Sequence, residues 1–417
     1  MKILRFIIKK DLPLITLVTL LLILFSGTIQ ILKYKEAYQY EPYYSQTFEK
    51  LSSDKNFYQI LSDESAQAST EYDNVYTEIF DFMYGSDYNP YKPPREIPSK
   101  MIEKLFIPSE NSGKYTQLAE TDAKMLARMS EQVNAQSQYQ QLITDQIENY
   151  DRNARRGTKD KYILKTAEKL KDDYLKVLEN KLKKPTDTRA ANVLITYLTT
   201  DFIPFFAVFI LLFHRLSSEI QSRRLMQFSI SEFGPVKFTL IKSLTGFIGF
   251  LIFYVFYCLS NIAIFCAFDQ NSGVLSAPIQ IISQYELSPE SATVFQYIMI
   301  ITLTKLAYCL ALGSVITLIS FLSKRIIASA AAGIIITAAP ILISKTYDLS
   351  SIDLERQKFK LIFSCDIFNM YHNLNYINLL DTPVKIYWIY FVCMIVISVI
   401  SAAILAVYSG KRGAAYV

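Results

Sequence analysis

Six apolar runs, each near or above the length of a bilayer crossing, constrain this 417-residue chain more than any other feature. A helix needs about 20 mostly apolar residues to cross roughly 30 Å of hydrocarbon. The first run, within residues 1–33, reads LPLITLVTLLLILFSGTIQIL from Leu12 to Leu32. The others cover 191–213, 244–268, 294–322, 326–344 and 384–409. The fifth is short and rich in small residues (IIASAAAGIIITAAPILI), a composition suited to close helix packing within lipid. In lipid every backbone polar group needs an internal partner, so the expected fold class is an all-α membrane protein with six transmembrane helices.

Charge collects where the apolar runs are not. Residues 34–190 hold 23 Lys/Arg against 26 Asp/Glu, a net of −3, which leaves 20 against 12 elsewhere, a net of +8. The stretch 34–190 has the composition of a water-exposed domain, inserted between the first and second spans. The whole-chain net of +5 carries no nucleic-acid signature. Five Cys without a CxxC pair and two His argue against a disulfide scaffold or a metal centre. Cys258, Cys266, Cys309 and Cys393 fall in spans and read as small apolar residues, while Cys365 stands outside them. His214 marks the inner membrane edge, and His372 has no ligand partners near it in the sequence.

Short-loop Lys and Arg set the orientation. The N-terminal stub carries Lys2, Arg5, Lys9 and Lys10, and the loop after the second span carries Arg215, Arg223, Arg224, Lys237 and Lys242. Lys324-Arg325 lie between the fourth and fifth spans, and Lys411-Arg412 follow the sixth, whereas Asp269–Thr293 has neither Lys nor Arg. With six spans all four basic segments share one side. Both termini are then cytoplasmic and 34–190 lies outside the cell membrane. The first run is too long for a signal peptide's apolar core and has no A-x-A site before Lys33, so it reads as an uncleaved anchor. Asp11 and Pro13 read as the cap and first-turn proline of the first span, after a stub that either lies in the interface or simply supplies positive-inside anchoring.

Within 34–190, residues 34–112 are rich in Tyr and Pro, which suggests short helices and loops. Residues 114–149 and 159–183 are almost free of Gly and Pro, and NARRGT at 153–158 divides them, predicting a long helical hairpin. The first part of the domain is acidic (10 basic, 19 acidic over 34–150) and the second basic (13 and 7 over 151–190). Two solvated faces account for this, as would contacts with a cationic peptide and an anionic surface.

The cytoplasmic loop 214–243 (HRLSSEIQSRRLMQFSISEFGPVKFTLIK from His214) carries the most specific signal. It is basic and amphipathic, Gly234-Pro235 interrupts it, and a helical run then leads into the third span. In this layout the sequence resembles the permease subunits of type-2 ABC exporters, the ABC-2 family. Their coupling loop has an acidic residue, a basic stretch, a short apolar helix, then Pro and a Lys seven residues on. Here those elements match Glu219, Arg223-Arg224, Leu225–Ile230 with Phe228 inside it, and Pro235 through Lys242. The Gly-Thr pair often found after the basic residues is absent. The resemblance implies two permease subunits, short re-entrant helices on the outer side in 345–383, and a coupling loop that receives force from an ATPase. No Gly-x-x-x-x-Gly-Lys-[Ser/Thr] occurs, so the chain is not expected to bind a cofactor or to act as an enzyme. ATP and Mg²⁺ would be held by a partner P-loop ABC ATPase. Peptides, lipids, antibiotics and sodium are the cargo classes left open, and so is a mechanotransmitter that relays motion to an extracellular partner.

Two ionisable residues fall in mid-span. Asp201 lies 10 residues past Ala191, about 15 Å deep, and Lys305 lies 11 past Val294, about 16 Å deep, at 1.5 Å per residue. Opposite charges at matching depth predict an Asp201–Lys305 ion pair, either fixing the bundle's register or forming a substrate or gating contact. Pro204 and Pro340 are expected to kink their spans.

Overall fold

In the computed structural model the described residues are 2–38, 48, 57–84, 119–155, 161–180, 186–213, 216, 234–269, 272–323, 325–345, 362, 365–371 and 376–414. Helix α1 runs unbroken from Lys2 to Ala37 with Pro13 inside it. Pro13 therefore does not open the first span: the stub and the span form one helix. A single proline removes one backbone hydrogen bond, and the helix continues through it.

Helices α2 (Phe57–Tyr84), α3 (Ala119–Arg155) and α4 (Lys161–Glu179) follow. Helix α2 packs along α3, and α3 and α4 form an antiparallel hairpin. The hairpin has its own apolar core of Tyr139, Ile143, Tyr174 and Val177, extended by Ile147, Tyr150, Leu170 and Leu178. Gln136 fastens its base: its Nε2 donates to the Thr186 carbonyl at 2.6 Å, and its Oε1 accepts from the Thr186 amide at 2.9 Å.

The second span is two helices, α5 (Arg189–Thr200) and α6 (Ile203–Leu212). Helix α7 (Gly234–Phe268) begins ten residues before the third apolar run and continues into it without a break. Helix α8 (Val294–Leu322) is opened by a capping box in which Thr293 and Gln296 bond reciprocally. Helix α9 (Ile326–Lys345) contains Pro340 and α11 (Ile386–Ala414) is the last span.

Five stretches are long and apolar enough to cross a membrane: Ile15–Ala37, Arg189–Leu212, Val236–Phe268, Val294–Leu322 and Ile386–Lys411. Ile326–Pro340 is a shorter apolar helix. The all-α membrane class therefore stands. Helix α8 is the centre of the bundle, packed against α11, α6 and α9, while α1 packs along α7.

Close approach at the centre depends on Gly313. A β-carbon there would sit 2.8 Å from Leu212 Cδ1, 3.0 Å from the Phe247 ring and 3.2 Å from Val208 Cγ1, where α6, α7 and α8 converge. Gly333 of α9 meets the Phe209 ring in the same way, at 2.7 Å.

The connections that precede α8 and α11 hold more structure than loops. Between α7 and α8 lie three 3₁₀ helices, Ser272–Ser276, Ile279–Ile281 and Ser283–Tyr285. They bury Ile279, Ile281, Ile282 and Tyr285 in the main core. A bridge between Pro278 and Thr293 closes this segment, and Gln280 Nε2 donates to the carbonyls of Ser288 (2.8 Å) and Glu290 (2.9 Å).

Much of region 345–383, where the resemblance implies short re-entrant helices, lies outside the described residues. Its described part holds one five-residue helix, α10 (Ile367–Tyr371), and then a β-hairpin of β1 (Tyr376–Leu379) and β2 (Thr382–Lys385). The register pairs Tyr376 with Lys385 and Leu379 with Thr382. Leu380 and Asp381 take left-handed conformations (φ 52° and 57°), as a two-residue hairpin turn requires, and the Asn378 side chain accepts the Asp381 amide at 2.9 Å.

Candidate functional site: a divided span held by Lys305

The chain leaves helical geometry at Asp201, whose ψ is 129°, and resumes it after Phe202. Sequence reading places a kink at Pro204, and the structure places the break just before it. Pro204 sits in the first turn of α6, where a missing N–H costs nothing. The Asp201 carboxylate compensates the break, since its Oδ1 accepts the Ile203 amide at 2.9 Å, at the amino end of α6. A negative group there also suits the helix dipole.

Lys305 closes the other side. Its side chain is buried, and Nζ donates to the backbone carbonyl of Asp201 at 2.5 Å. An ammonium at the carboxyl end of α5 again complements a helix dipole. The two residues meet, as matching depth suggests, but the contact is made through the backbone oxygen. The Asp201 carboxylate instead takes the phenol of Tyr257, whose OH donates to Oδ2 at 2.5 Å. Asp201 thus serves α6, α7 and α8 at once.

Tyrosines complete a polar waist around the middle of α8. Tyr254 of α7 donates to the Thr302 carbonyl at 2.7 Å, and Tyr390 of α11 to the Thr304 carbonyl at 2.8 Å. The Thr304 hydroxyl lies 3.1 Å from the Tyr371 hydroxyl. Tyr254, Tyr257 and Tyr390 were missed by a search for charges. The available signal was spacing: Tyr254, Tyr257 and Asn261 recur at i, i+3 and i+7 within an otherwise apolar span.

Both halves of the second span pack on α1, α7 and α8, and α6 packs on α9 as well. Helix α5 is tied to α1: Tyr34 OH donates to the Ala190 carbonyl (3.2 Å), the Ser26 and Tyr197 hydroxyls lie 2.7 Å apart, and Lys33 sits over the Tyr197 ring. Helix α6 packs on α8 and α9, where the Ser329 hydroxyl donates to the Phe213 carbonyl. The break at Asp201 and Phe202 is thus held by polar bonds to α6, α7 and α8.

Leu216, Phe238, Phe321 and Leu405 form a separate buried cluster joining the segment after α6 to α7, α8 and α11. Lys242 is buried beside it on α7, whose first turn contains Pro235. Glu219, Arg223, Arg224, Leu225 and Phe228 lie outside the described residues, as do His214 and His372. Among the described residues no group of three or more His, Cys, Asp or Glu could hold a metal ion.

Five apolar helices of membrane-crossing length and a divided second span fit the membrane component of a transporter. The profile of the ABC-2 family transporter proteins matches residues 9–407, and the chain belongs to that family. No curated protein and no solved structure matches it. Membership makes the chain a transmembrane component of an ABC transporter, which works with an ABC ATPase.

Proposed function

We infer that the chain is the permease subunit of an ATP-driven exporter, and that two permease subunits line an outward path for an amphiphile such as a peptide, lipid or antibiotic. Helix α9 is the fifth of six spans, both termini are cytoplasmic and 34–190 faces outward. A separate P-loop ATPase docks on 214–243 through Glu219, Arg223, Arg224, Leu225, Phe228, Pro235 and Lys242. The observation that carries this reading is continuity. Helix α7 runs from Gly234 through the membrane as one rod, and the segment after α6 meets it in the Leu216–Phe238–Phe321–Leu405 cluster. A push on the loop therefore reaches the inner half of the second span, which ends at the Asp201 joint.

Two outcomes test the docking. Arg223→Glu with Arg224→Glu is expected to lower ATPase co-purification at least tenfold while leaving the thermal midpoint of the permease unchanged. Undiminished ATPase binding would remove the loop from the mechanism. For export, ATP-dependent accumulation of a labelled amphiphile in inside-out proteoliposomes is the expected result.

A second reading, a mechanotransmitter, is favoured by one observation: the α3–α4 hairpin is bonded directly to the outer end of α11 through Lys385. ATP hydrolysis stimulated by a ligand, with none accumulating, would select it over export.

A further inference from the structure

The α3–α4 hairpin and the membrane bundle have separate apolar cores with no residue in common. Between them α3 packs on the Ile279–Ile281 and Ser283–Tyr285 turns, and polar bonds run across, most of them from hairpin side chains to bundle carbonyls. Tyr174 donates to Leu287 (3.0 Å), Asn180 to Ser291 (3.2 Å), Lys165 to Asp381 (3.3 Å) and Lys169 to Pro383 (2.8 Å).

Three charges occupy the middle of this joint. Lys385, the last residue before α11, places Nζ 2.9 Å from Asp173 Oδ2 on α4 and 3.2 Å from Glu290 Oε1 before α8. Tyr376 OH donates to the same Asp173 oxygen at 2.7 Å, and Lys176 stands 3.7 Å from the other. The side chains of Lys385, Asp173 and Glu290 are 19%, 12% and 14% exposed. Burial raises the Glu290 carboxyl above its ordinary value against the pull of Lys385. Burial draws the Lys385 ammonium down, but the Glu290 and Asp173 carboxylates outweigh it and leave it raised.

A polar joint can part without exposing a hydrophobic core, so it suits relative motion. A shared buried ion pair adds little adhesion, because desolvation offsets attraction, yet losing one partner leaves the others uncompensated. We propose that the α3–α4 hairpin is a lever that moves as one body against the outer end of α11, and that Lys385 is the ionic pin of its joint. This rests on the permease reading, in which the outer end of the last span moves during the cycle.

The test uses the full chain in lipid nanodiscs, with spin labels at the exposed positions Asp172 on α4 and Trp388 on α11. Electron–electron distance measurements should give one narrow distribution in the otherwise unaltered chain and with Lys385→Arg. Lys385→Met should add a second population at longer distance. A control pair at Leu24 on α1 and Leu259 on α7 should not change. An unchanged Asp172–Trp388 distribution in Lys385→Met overturns the proposal, and so does a control pair that broadens with it, since the effect is then general unfolding. Binding of the partner ATPase by the same samples reports on the permease reading alone.

Discussion

Lys305→Met is expected to lower the stability of the folded bundle by about 2–4 kcal/mol, the range for removing one partner from a buried charged contact. The substitution keeps length and most of the volume but removes the donor to the Asp201 carbonyl and the positive charge beside the Asp201 carboxylate. Asp201→Asn should cost less, about 1–2 kcal/mol, because a carboxamide oxygen can still accept either the Ile203 amide or the Tyr257 phenol. The double variant should be more stable than Lys305→Met alone, since no uncompensated carboxylate remains at mid-membrane. Thermal unfolding in detergent reads all three. A Lys305→Met protein as stable as the original would show that the joint needs no cation. If the double variant loses the sum of the two single losses, the two residues act independently.

Gly313→Leu should disrupt the bundle more than any conservative change on its surface. A β-carbon alone brings α8 within 2.8 Å of a flexible leucine tip and 3.0 Å of an aromatic ring. Gly313→Ala is therefore expected to cost about 1 kcal/mol, taken up by Leu212, while Gly313→Leu should cost about 3 kcal/mol or more by pushing α6 away from α8. Size-exclusion profiles after a temperature series distinguish the two, with the leucine variant aggregating at a lower temperature or failing to assemble. Wild-type behaviour of Gly313→Leu would mean that α6 and α8 pack with more space than the structure shows.

How far the sequence discloses this architecture varies by element. The membrane class was legible because a bilayer demands some twenty apolar residues in a row, a signal that survives almost any packing. The meeting of Asp201 and Lys305 was legible from depth alone. Its chemistry was not, because it requires a helix break, which exposes a carbonyl, and Tyr257, an ordinary residue by composition. The β-hairpin was hidden by its short strands, by Pro383 within one of them and by a Leu-Asp turn in place of Asn-Gly. Bonds from lysines and tyrosines to backbone carbonyls at the outer joint leave no pattern at the receiving positions, since any residue supplies a carbonyl. The coupling-loop residues rest on the sequence resemblance, as the described residues begin again only at Gly234.

The separate cores of hairpin and bundle also bear on how such a chain changes over generations. Substitutions more than about 7–10 Å apart with no shared partners act nearly independently. Residues of the α3–α4 hairpin that face away from the joint can therefore drift without retuning the packing around Gly313 or Lys305. New hairpin surfaces can be tried on an unaltered bundle, provided that Asp173 and the carbonyl-seeking lysines stay in place.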